Sequence, residues 1–172
     1  MAGTPAADAS SRLRGDHDRA RQDTLISVLA PVEGAAVGLS AVPDPVFSAG
    51  MVGPGAAIEP VRRPGTAVAP ISGKIMKLHP HAYVIVGDDG KGVLVHLGID
   101  TVQLRGEGFR LLAAEGDRVS AGQPVVAWDP AAIEAGGRSP ICPVVALDAP
   151  AGSVTQMVVG AVDVGDELFQ WV

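Results

Sequence analysis

The amino-acid sequence predicts an all-β fold, a compact antiparallel β-sandwich or barrel with short helical turns. Glycine and proline, with 22 and 14 residues, together make up about a fifth of the 172-residue chain, which leaves little room for long helices. Short apolar runs also recur from residue 24 onward, and nearly every gap between them holds Gly, Pro or Asp. Such runs, separated by turn residues, are typical of antiparallel sandwiches and barrels.

Each apolar run is short enough to be one strand and is bounded by residues that favour turns. Only two segments have the composition of a helical turn, FRLLAAE at 109–115 and AAIEA at 131–135. In chain order, the predicted strands lie in LISVLAPV (25–32), AAVGLSAV (35–42), GAAIEPV (55–61), GTAVAPI (65–71), GKIMKL (73–78), AYVIV (82–86), GVLVHLGI (92–99), RVSAGQPVVAW (118–128), CPVVAL (142–147) and GSVTQMVV (152–159).

The first residues differ in composition from the rest of the chain. Residues 1–23 mix Arg and Asp with Ala and Ser, and their charges balance to zero. We expect this segment to be a flexible tail, because it has too few apolar residues to form a core. Residues 24–172 are then expected to form one folded domain, which is long enough to bury a core.

Charge and cysteine usage exclude several classes of protein. A formal net charge of -6 argues against binding to nucleic acid, whose protein partners carry basic patches. The single cysteine, Cys142, cannot form an internal disulfide and indicates a reducing compartment. We find neither a signal-peptide pattern at the N-terminus nor an apolar run of roughly 20 residues. These observations predict a cytoplasmic protein that does not insert into a membrane.

The stretch HPHAYVIVGDDGKGVLVHLGID, residues 79–100, holds three of the four histidines. We interpret residues 81–86 and 91–97 as two strands joined by the turn GDDG. If the two aspartates are the central turn residues, Val84 opposes Val93 and His81 opposes His96. Cβ atoms of directly opposed residues lie roughly 4.5 to 5.5 Å apart, so the two imidazoles would nearly touch.

This register also predicts which side chains surround the histidine pair. Since side chains alternate between faces, Tyr83 and Leu94 would flank the histidines, while Val84, Val93 and Val95 would point to the other face. Asp-Asp-Gly also suits a type I turn followed by a glycine bulge, which slips the register by one residue. Such a slip would exchange the faces and separate the rings, unless a second irregularity at Gly92 restored them.

A close pair of histidines has three interpretations. The two rings can be partly buried residues of the fold, or they can bind a metal ion. In the third interpretation one imidazole is a nucleophile and the other stabilises charge. A neutral histidine can accept a phosphoryl group on one nitrogen, and a neighbouring imidazole can donate to the phosphoryl oxygens. An apolar surround would then suit docking of a partner protein.

Two further resemblances offer alternatives. His79-Pro-His81 and His96-Leu-Gly-Ile-Asp100 resemble the zinc ligands of lysostaphin-like peptidases. Those peptidases place the two motifs in the reverse order and carry a secretion signal, which counts against a zinc site here. GKIMKLHP and EGDRVSAGQPVVAWD are similar to the half-repeats of biotinyl and lipoyl carrier domains, with Lys77 as the modified lysine. Carrier domains of that kind are shorter and give the histidines no role.

The segment GKGVLVHLGIDTVQLRGEGF, residues 90–109, resembles the active-site segment of the glucose-family enzyme IIA of the bacterial phosphoenolpyruvate-dependent sugar phosphotransferase system. The resemblance extends from about residue 24 to residue 172 and implies an antiparallel β-sandwich. The positions that match the family pattern are Gly90, Val93, Leu94, Val95, His96, Leu97, Gly98, Ile99, Thr101 and Val102.

The resemblance implies a phosphocarrier. His96 would accept a phosphoryl group on its tele nitrogen from the carrier protein HPr and pass it to a cysteine of an enzyme IIB or IIBC. His81 would assist, mainly in the onward step. No metal or organic cofactor is expected, and the chain is expected to be a free-standing monomer. The unphosphorylated form is expected to bind uptake proteins in some bacteria.

The resemblance also implies a docking surface and an alternative function. The docking surface would be an apolar ring around the histidines, rimmed by two carboxylates. The expected docking residues are Asp44, Val46, Phe47, Tyr83, Leu94 and Asp100.

The family commonly has Pro-Thr-x-His-Ala, which includes its assisting histidine, whereas this chain has His79-Pro80-His81-Ala82 and no threonine there. A regulatory binding protein of the same fold, without onward transfer, is therefore the second hypothesis. We expect His79 to be a surface histidine and Cys142 to be buried.

Overall fold

The computed structural model describes residues 25–172, so the predicted tail at 1–23 lies outside the described residues. Antiparallel strands dominate the described chain, as the sequence predicts. The strands are β1 (Ile26–Leu29), β2 (Gly34–Gly38), β3 (Gly55–Pro60), β4 (Gly65–Val68), β5 (Gly73–His79), β6 (Ala82–Val86), β7 (Gly92–His96), β8 (Phe109–Leu111), β9 (Arg118–Val119), β10 (Pro124–Trp128), β11 (Cys142–Ala146), β12 (Val154–Thr155), β13 (Gly160–Val162) and β14 (Glu167–Trp171).

Helices are short and lie in the connections between strands. In the described part of the chain the helices are α1 (Pro45–Ser48), α2 (Pro130–Ala135) and two 3-10 turns at Leu39–Ala41 and Thr101–Leu104. Both α-helices begin with an aspartate that accepts a backbone N–H and a proline that is already in the helical conformation. No helix among residues 25–172 has the length and apolar character needed to cross a membrane.

Within residues 25–172 the strands form three sheets. The largest has eight strands in the order β13-β2-β3-β11-β7-β6-β5-β9, and two three-stranded sheets have the orders β1-β14-β12 and β4-β10-β8. The main core packs against one face of the large sheet, where the facing pairs Tyr83–Val95 and Ile85–Val93 are fully buried. Each such aliphatic side chain contributes roughly 1.5 to 3 kcal/mol by leaving water.

A smaller apolar cluster covers the opposite face of the large sheet near β7. Leu94 packs against this cluster, which includes Phe47 and Val145. Because β7 is covered on both faces, its sequence is nearly continuously apolar. The complete cluster consists of Leu39, Val42, Phe47, Ala57, Ile99, Ile141 and Val145.

The register predicted for the histidine hairpin is wrong by one residue. The structure pairs Val84 with Leu94, and Ile85 with Val93. The Gly87 N–H donates to the Lys91 carbonyl at 3.0 Å, and Gly90 has a left-handed φ of 84°. This is the turn with a glycine bulge that we considered as the alternative. As a consequence, Val84 lies on the face predicted for Tyr83.

The slip moves Tyr83 into the core, so its predicted place in the docking surface is also wrong. Tyr83 is 0% exposed, and its hydroxyl donates to the Val68 carbonyl at 2.7 Å. The strand neighbour of Val68 is Pro124, which has no N–H to offer that carbonyl. The tyrosine hydroxyl therefore satisfies a buried acceptor that the sheet leaves open.

The two helical turns predicted from the sequence have different outcomes. AAIEA forms most of α2, which confirms that prediction. FRLLAAE does not form a helix, because Phe109–Leu111 is strand β8 and pairs with β10. Across that pair, the rings of Phe109 and Trp128 are nearly parallel with centroids 6.4 Å apart. Cross-strand aromatic packing outweighs the weak helix propensity of this short segment.

Tyr83→Phe is expected to lower the free energy of unfolding by about 1–3 kcal/mol, because it leaves the buried Val68 carbonyl without a donor. Urea unfolding of both proteins measures the difference. Val84→Ala, on the other face of the same strand, is a control that leaves this hydrogen bond intact. If Tyr83→Phe left the free energy of unfolding unchanged but weakened partner binding, Tyr83 would belong to the docking surface after all.

Candidate active site

His96 is the last residue of β7, and a backbone hydrogen bond fixes its ring. Its Nδ1 lies 2.6 Å from the Gly98 carbonyl oxygen. Since a carbonyl can only accept, Nδ1 carries the proton and donates it. The neutral ring then leaves Nε2 unprotonated, with its lone pair available to an electrophile.

Gly98 is required by the loop that turns back after His96. Its φ is 82°, a left-handed value that favours glycine, and an added Cβ would lie 2.7 Å from Cγ2 of Thr101. Thr101 is fully buried, and its hydroxyl donates to the Leu97 carbonyl at 2.8 Å. Together these contacts hold the Gly98 carbonyl at the place where it meets His96.

His81 lies beside His96 although the two residues are not strand partners. The ring centroids are 5.3 Å apart and the ring planes make an angle of 72°. His81 is in the turn Pro80–His81 that joins β5 to β6, and Ala82 is the residue that opposes His96. A turn residue is not bound by the alternation of side chains along a strand, so the rings meet despite the slipped register.

Phe47 lines the site, and its side chain is almost completely buried. It is 7% exposed, and its ring centroid lies 5.3 Å from that of His96. Helix α1 places it there, since the Asp44 carboxylate accepts the Val46 N–H at 2.9 Å and starts the helix. Phe47 was expected to be one of the docking residues, but its ring is almost completely buried because it packs on the histidine.

The other expected docking residues remain reachable to different extents. Val46 is 43% exposed and Asp100 is exposed, while Asp44 and Leu94 are half-buried. Two exposed apolar residues that we did not select are Met51, which follows α1, and Val102, two residues after Asp100. Val102 belongs to the segment that matches the family pattern. Because it lies two positions after Asp100, an expected docking residue, it could have been selected from the sequence.

Burial and charge act in opposite directions on the pKa of His96. Burial lowers this pKa, whereas the Gly98 carbonyl and the carboxylates of Asp44 and Asp100 raise it, and burial prevails. The pKa of His81 falls to about 4, mainly through burial and then through the charges of His96 and His79. Both imidazoles of the pair are neutral at pH 7.

Cys142 and His79 also carry groups that can bind a metal ion or act as nucleophiles, but neither belongs to the His81–His96 pair. Cys142 is fully buried as expected, and burial raises the pKa of its thiol, which keeps it protonated. His79 is exposed as expected, and its ring also stacks on that of His81. Within residues 25–172, we find no group of three or more His, Cys, Asp or Glu side chains placed to hold a metal ion.

Two groups near His96 were not identified from the sequence: the Gly98 carbonyl, which bonds to its ring, and the Thr101 hydroxyl, which donates to the Leu97 carbonyl. A backbone carbonyl leaves no mark in the sequence, so its role depends on the folded loop. The threonine does leave a signal, because it is a polar residue close to an apolar run and is followed by Val102. Its burial could have been inferred from that position.

Thr101→Val is expected to lower the free energy of unfolding by about 1–3 kcal/mol, because the Leu97 carbonyl loses its buried donor. It is also expected to weaken the bond from His96 Nδ1 to the Gly98 carbonyl, which ¹⁵N chemical shifts of the imidazole report. Thr101→Ser, which keeps the hydroxyl, is the matched control and should retain the shift. Equal ¹⁵N changes in both variants would contradict this role of the hydroxyl.

His81 is expected to titrate near pH 4 in an NMR titration, well below the ordinary value of 6.5. Between these two pH values the unfolded chain binds more protons than the folded one, so acidification through this window lowers the free energy of unfolding. His81→Asn should therefore lose less stability than the wild type between pH 6.5 and 4. A His81 midpoint near 6.5 would show that the ring is fully solvated.

Comparisons with known proteins agree with this fold. Residues 26–151 match the family described as phosphoenolpyruvate-dependent sugar phosphotransferase system, EIIA 1. A glucose-specific EIIA component of Staphylococcus aureus (strain Mu50 / ATCC 700699) is 40% identical over 122 residues, which are 70% of this chain and 72% of that protein. The glucose permease IIA of Mycoplasma capricolum superimposes with a TM-score of 0.79 at 32% identity, covering 85% of this chain and 95% of that one.

Longer relatives contain a similar segment as one part of a larger protein. The glucoside-specific EIICBA component of Staphylococcus carnosus (strain TM300) is 39% identical over 143 residues, 82% of this chain. The glucose-specific EIIBCA component of Corynebacterium glutamicum is 42% identical over 127 residues, 73% of this chain. The matched segments span only 20% and 18% of those two proteins.

The family match spans well over half of the chain, and it confirms both the resemblance and the all-β fold predicted from the sequence. It also decides against the zinc peptidase and the biotinyl or lipoyl carrier as descriptions of this chain. The chain belongs to the EIIA 1 family of the phosphoenolpyruvate-dependent sugar phosphotransferase system, and it is a phosphotransferase component of that system.

Proposed function

We propose that Nε2 of His96 accepts a phosphoryl group from the phosphohistidine of HPr and passes it to a cysteine of an enzyme IIB. The observation that carries this proposal is the bond from Nδ1 of His96 to the Gly98 carbonyl, which leaves Nε2 as the free nucleophile. Burial adds to it by keeping the ring neutral at pH 7. The relay would operate in the cytoplasm, where phosphoenolpyruvate is available.

In the first step the Nε2 lone pair attacks phosphorus while the phosphorus–nitrogen bond in HPr breaks. The departing nitrogen of HPr keeps that electron pair. The Nδ1 proton stays on His96, so the phosphorylated ring carries a positive charge. The carboxylates of Asp44 and Asp100 favour a charged ring and are placed to stabilise it.

In the second step the thiolate of the enzyme IIB cysteine attacks the same phosphorus. The bond to Nε2 breaks, and His96 returns to its neutral form with Nδ1 still bonded to Gly98. We propose that His81 donates a ring N–H to a phosphoryl oxygen in this step, because it is neutral and its ring lies 5.3 Å from that of His96. Neither step requires a metal ion or an organic cofactor.

Exposed side chains on the two segments that carry Phe47 and Asp100 support docking of both partners. Val46, Met51 and Val102 expose apolar side chains, and Asp100 adds an exposed carboxylate. Apolar surface with a charged rim is typical of transient protein interfaces. We propose that HPr and enzyme IIB bind this one surface in turn and that the chain acts as a monomer. We also propose that uptake proteins regulated by the unphosphorylated form bind the same surface.

Intact-mass measurement after incubation with phosphoenolpyruvate, enzyme I and HPr tests the relay. We expect one acid-labile phosphoryl adduct on the wild type, its loss in His96→Ala, and its retention in His81→Ala. On addition of enzyme IIB, the wild-type adduct should disappear, and that of His81→Ala should persist.

Two outcomes would contradict the relay. A wild-type protein without an adduct, beside an HPr control that is phosphorylated, would remove the carrier function. A wild-type adduct that no enzyme IIB can accept would favour the second hypothesis, a regulatory binding protein of the same fold. Thermal unfolding of each variant separates loss of chemistry from loss of the fold.

A further inference from the structure

The orientation of His81 has an unusual origin. Among the residues that the structure describes, no group forms a hydrogen bond with the ring of His81. The ring is instead in contact with two other imidazoles, at 5.3 Å from His96 and 5.7 Å from His79. A side chain on a turn would sample several rotamers without such contacts, so these rings restrict it.

His79 is well placed to act as the flat support of His81. The two rings are nearly parallel, with 25° between their planes, and their separation lies within the range of offset stacking. The backbone fixes this arrangement, because His79 ends β5 and pairs with Ala82 across the turn Pro80–His81. Proline adds to the restraint by fixing its own φ in the turn.

Stacking restrains the ring in a different way from a hydrogen bond. A hydroxyl bonded to the ring would occupy one nitrogen and select one tautomer. A stacked neighbour limits the ring plane and leaves both nitrogens of His81 free. The ring can then offer an N–H to a phosphoryl oxygen from either tautomer, which suits a group that meets the phosphoryl group only during transfer.

We infer that His79 is a positioning residue for phosphoryl transfer: its ring stacks on His81 and holds that imidazole toward Nε2 of His96. This inference rests on the proposed relay and adds a third histidine to it. His79 remains largely in solvent, so it acts through His81 and does not touch the phosphoryl group. This stack restrains His81 in a chain that lacks the family's threonine before this histidine.

Two substitutions separate stacking from the other properties of His79. His79→Ala removes the ring, and His79→Phe keeps a flat ring while removing both nitrogens. Lys77→Ala, an exposed residue of the same strand, is the matched control. We would measure the single-turnover rate of transfer from each phosphorylated protein to enzyme IIB, together with the rate of phosphorylation by HPr.

His79→Ala should slow transfer to enzyme IIB by about threefold to tenfold, the effect expected from losing one aromatic stack, while His79→Phe and Lys77→Ala stay within about twofold of wild type. Phosphorylation by HPr should change little in all three variants. In NMR spectra, the ring protons of His81 should shift on His79→Ala and keep their upfield positions in His79→Phe.

Unaltered transfer in His79→Ala would overturn the inference, and so would equal loss in His79→Ala and His79→Phe, which would assign the effect to the nitrogens of His79. Failure of the relay itself looks different, because the wild type would then carry no phosphoryl group. The NMR comparison requires no phosphorylation and reports the stack in either case.

Discussion

The bond from Nδ1 of His96 to the Gly98 carbonyl is the interaction on which the proposed chemistry depends. It decides which nitrogen carries the proton, and therefore which nitrogen is free to react. The carbonyl can reach the ring only because Gly98 has a left-handed φ and Thr101 packs where a side chain at position 98 would lie. A loop glycine and a buried threonine thus determine the tautomer of a residue two and five positions before them.

The surroundings of His96 combine two requirements that conflict. A nucleophilic imidazole must be neutral, and burial against Phe47 favours the neutral form by removing water. In the proposed phosphorylated state the ring would be cationic, and the carboxylates of Asp44 and Asp100, which raise the pKa of His96, would favour that state. Burial and the carboxylates therefore act in opposite directions on the charge of this ring.

The hairpin shows why the closeness of His81 and His96 could be predicted although the register could not. The motif around His96 identified the nucleophile candidate, and the density of histidines identified its neighbour. The turn GDDG is compatible with two registers that differ by one residue, and the sequence does not distinguish them. Packing decides between them, since the observed register buries Tyr83, Ile85, Val93 and Val95 together in the main core.

The strand-and-turn architecture and the family could be predicted from the sequence, because periodicity, turn residues and a contiguous motif are local properties. The same motif made His96 the candidate nucleophile. Only the folded chain shows which of the expected docking residues are exposed and that Phe47 packs on His96. It also shows that the Tyr83 hydroxyl donates to the Val68 carbonyl, whose strand neighbour is Pro124. It also placed His79 against His81. These features depend on contacts between distant segments and on backbone atoms, and neither is encoded at a single position in the chain.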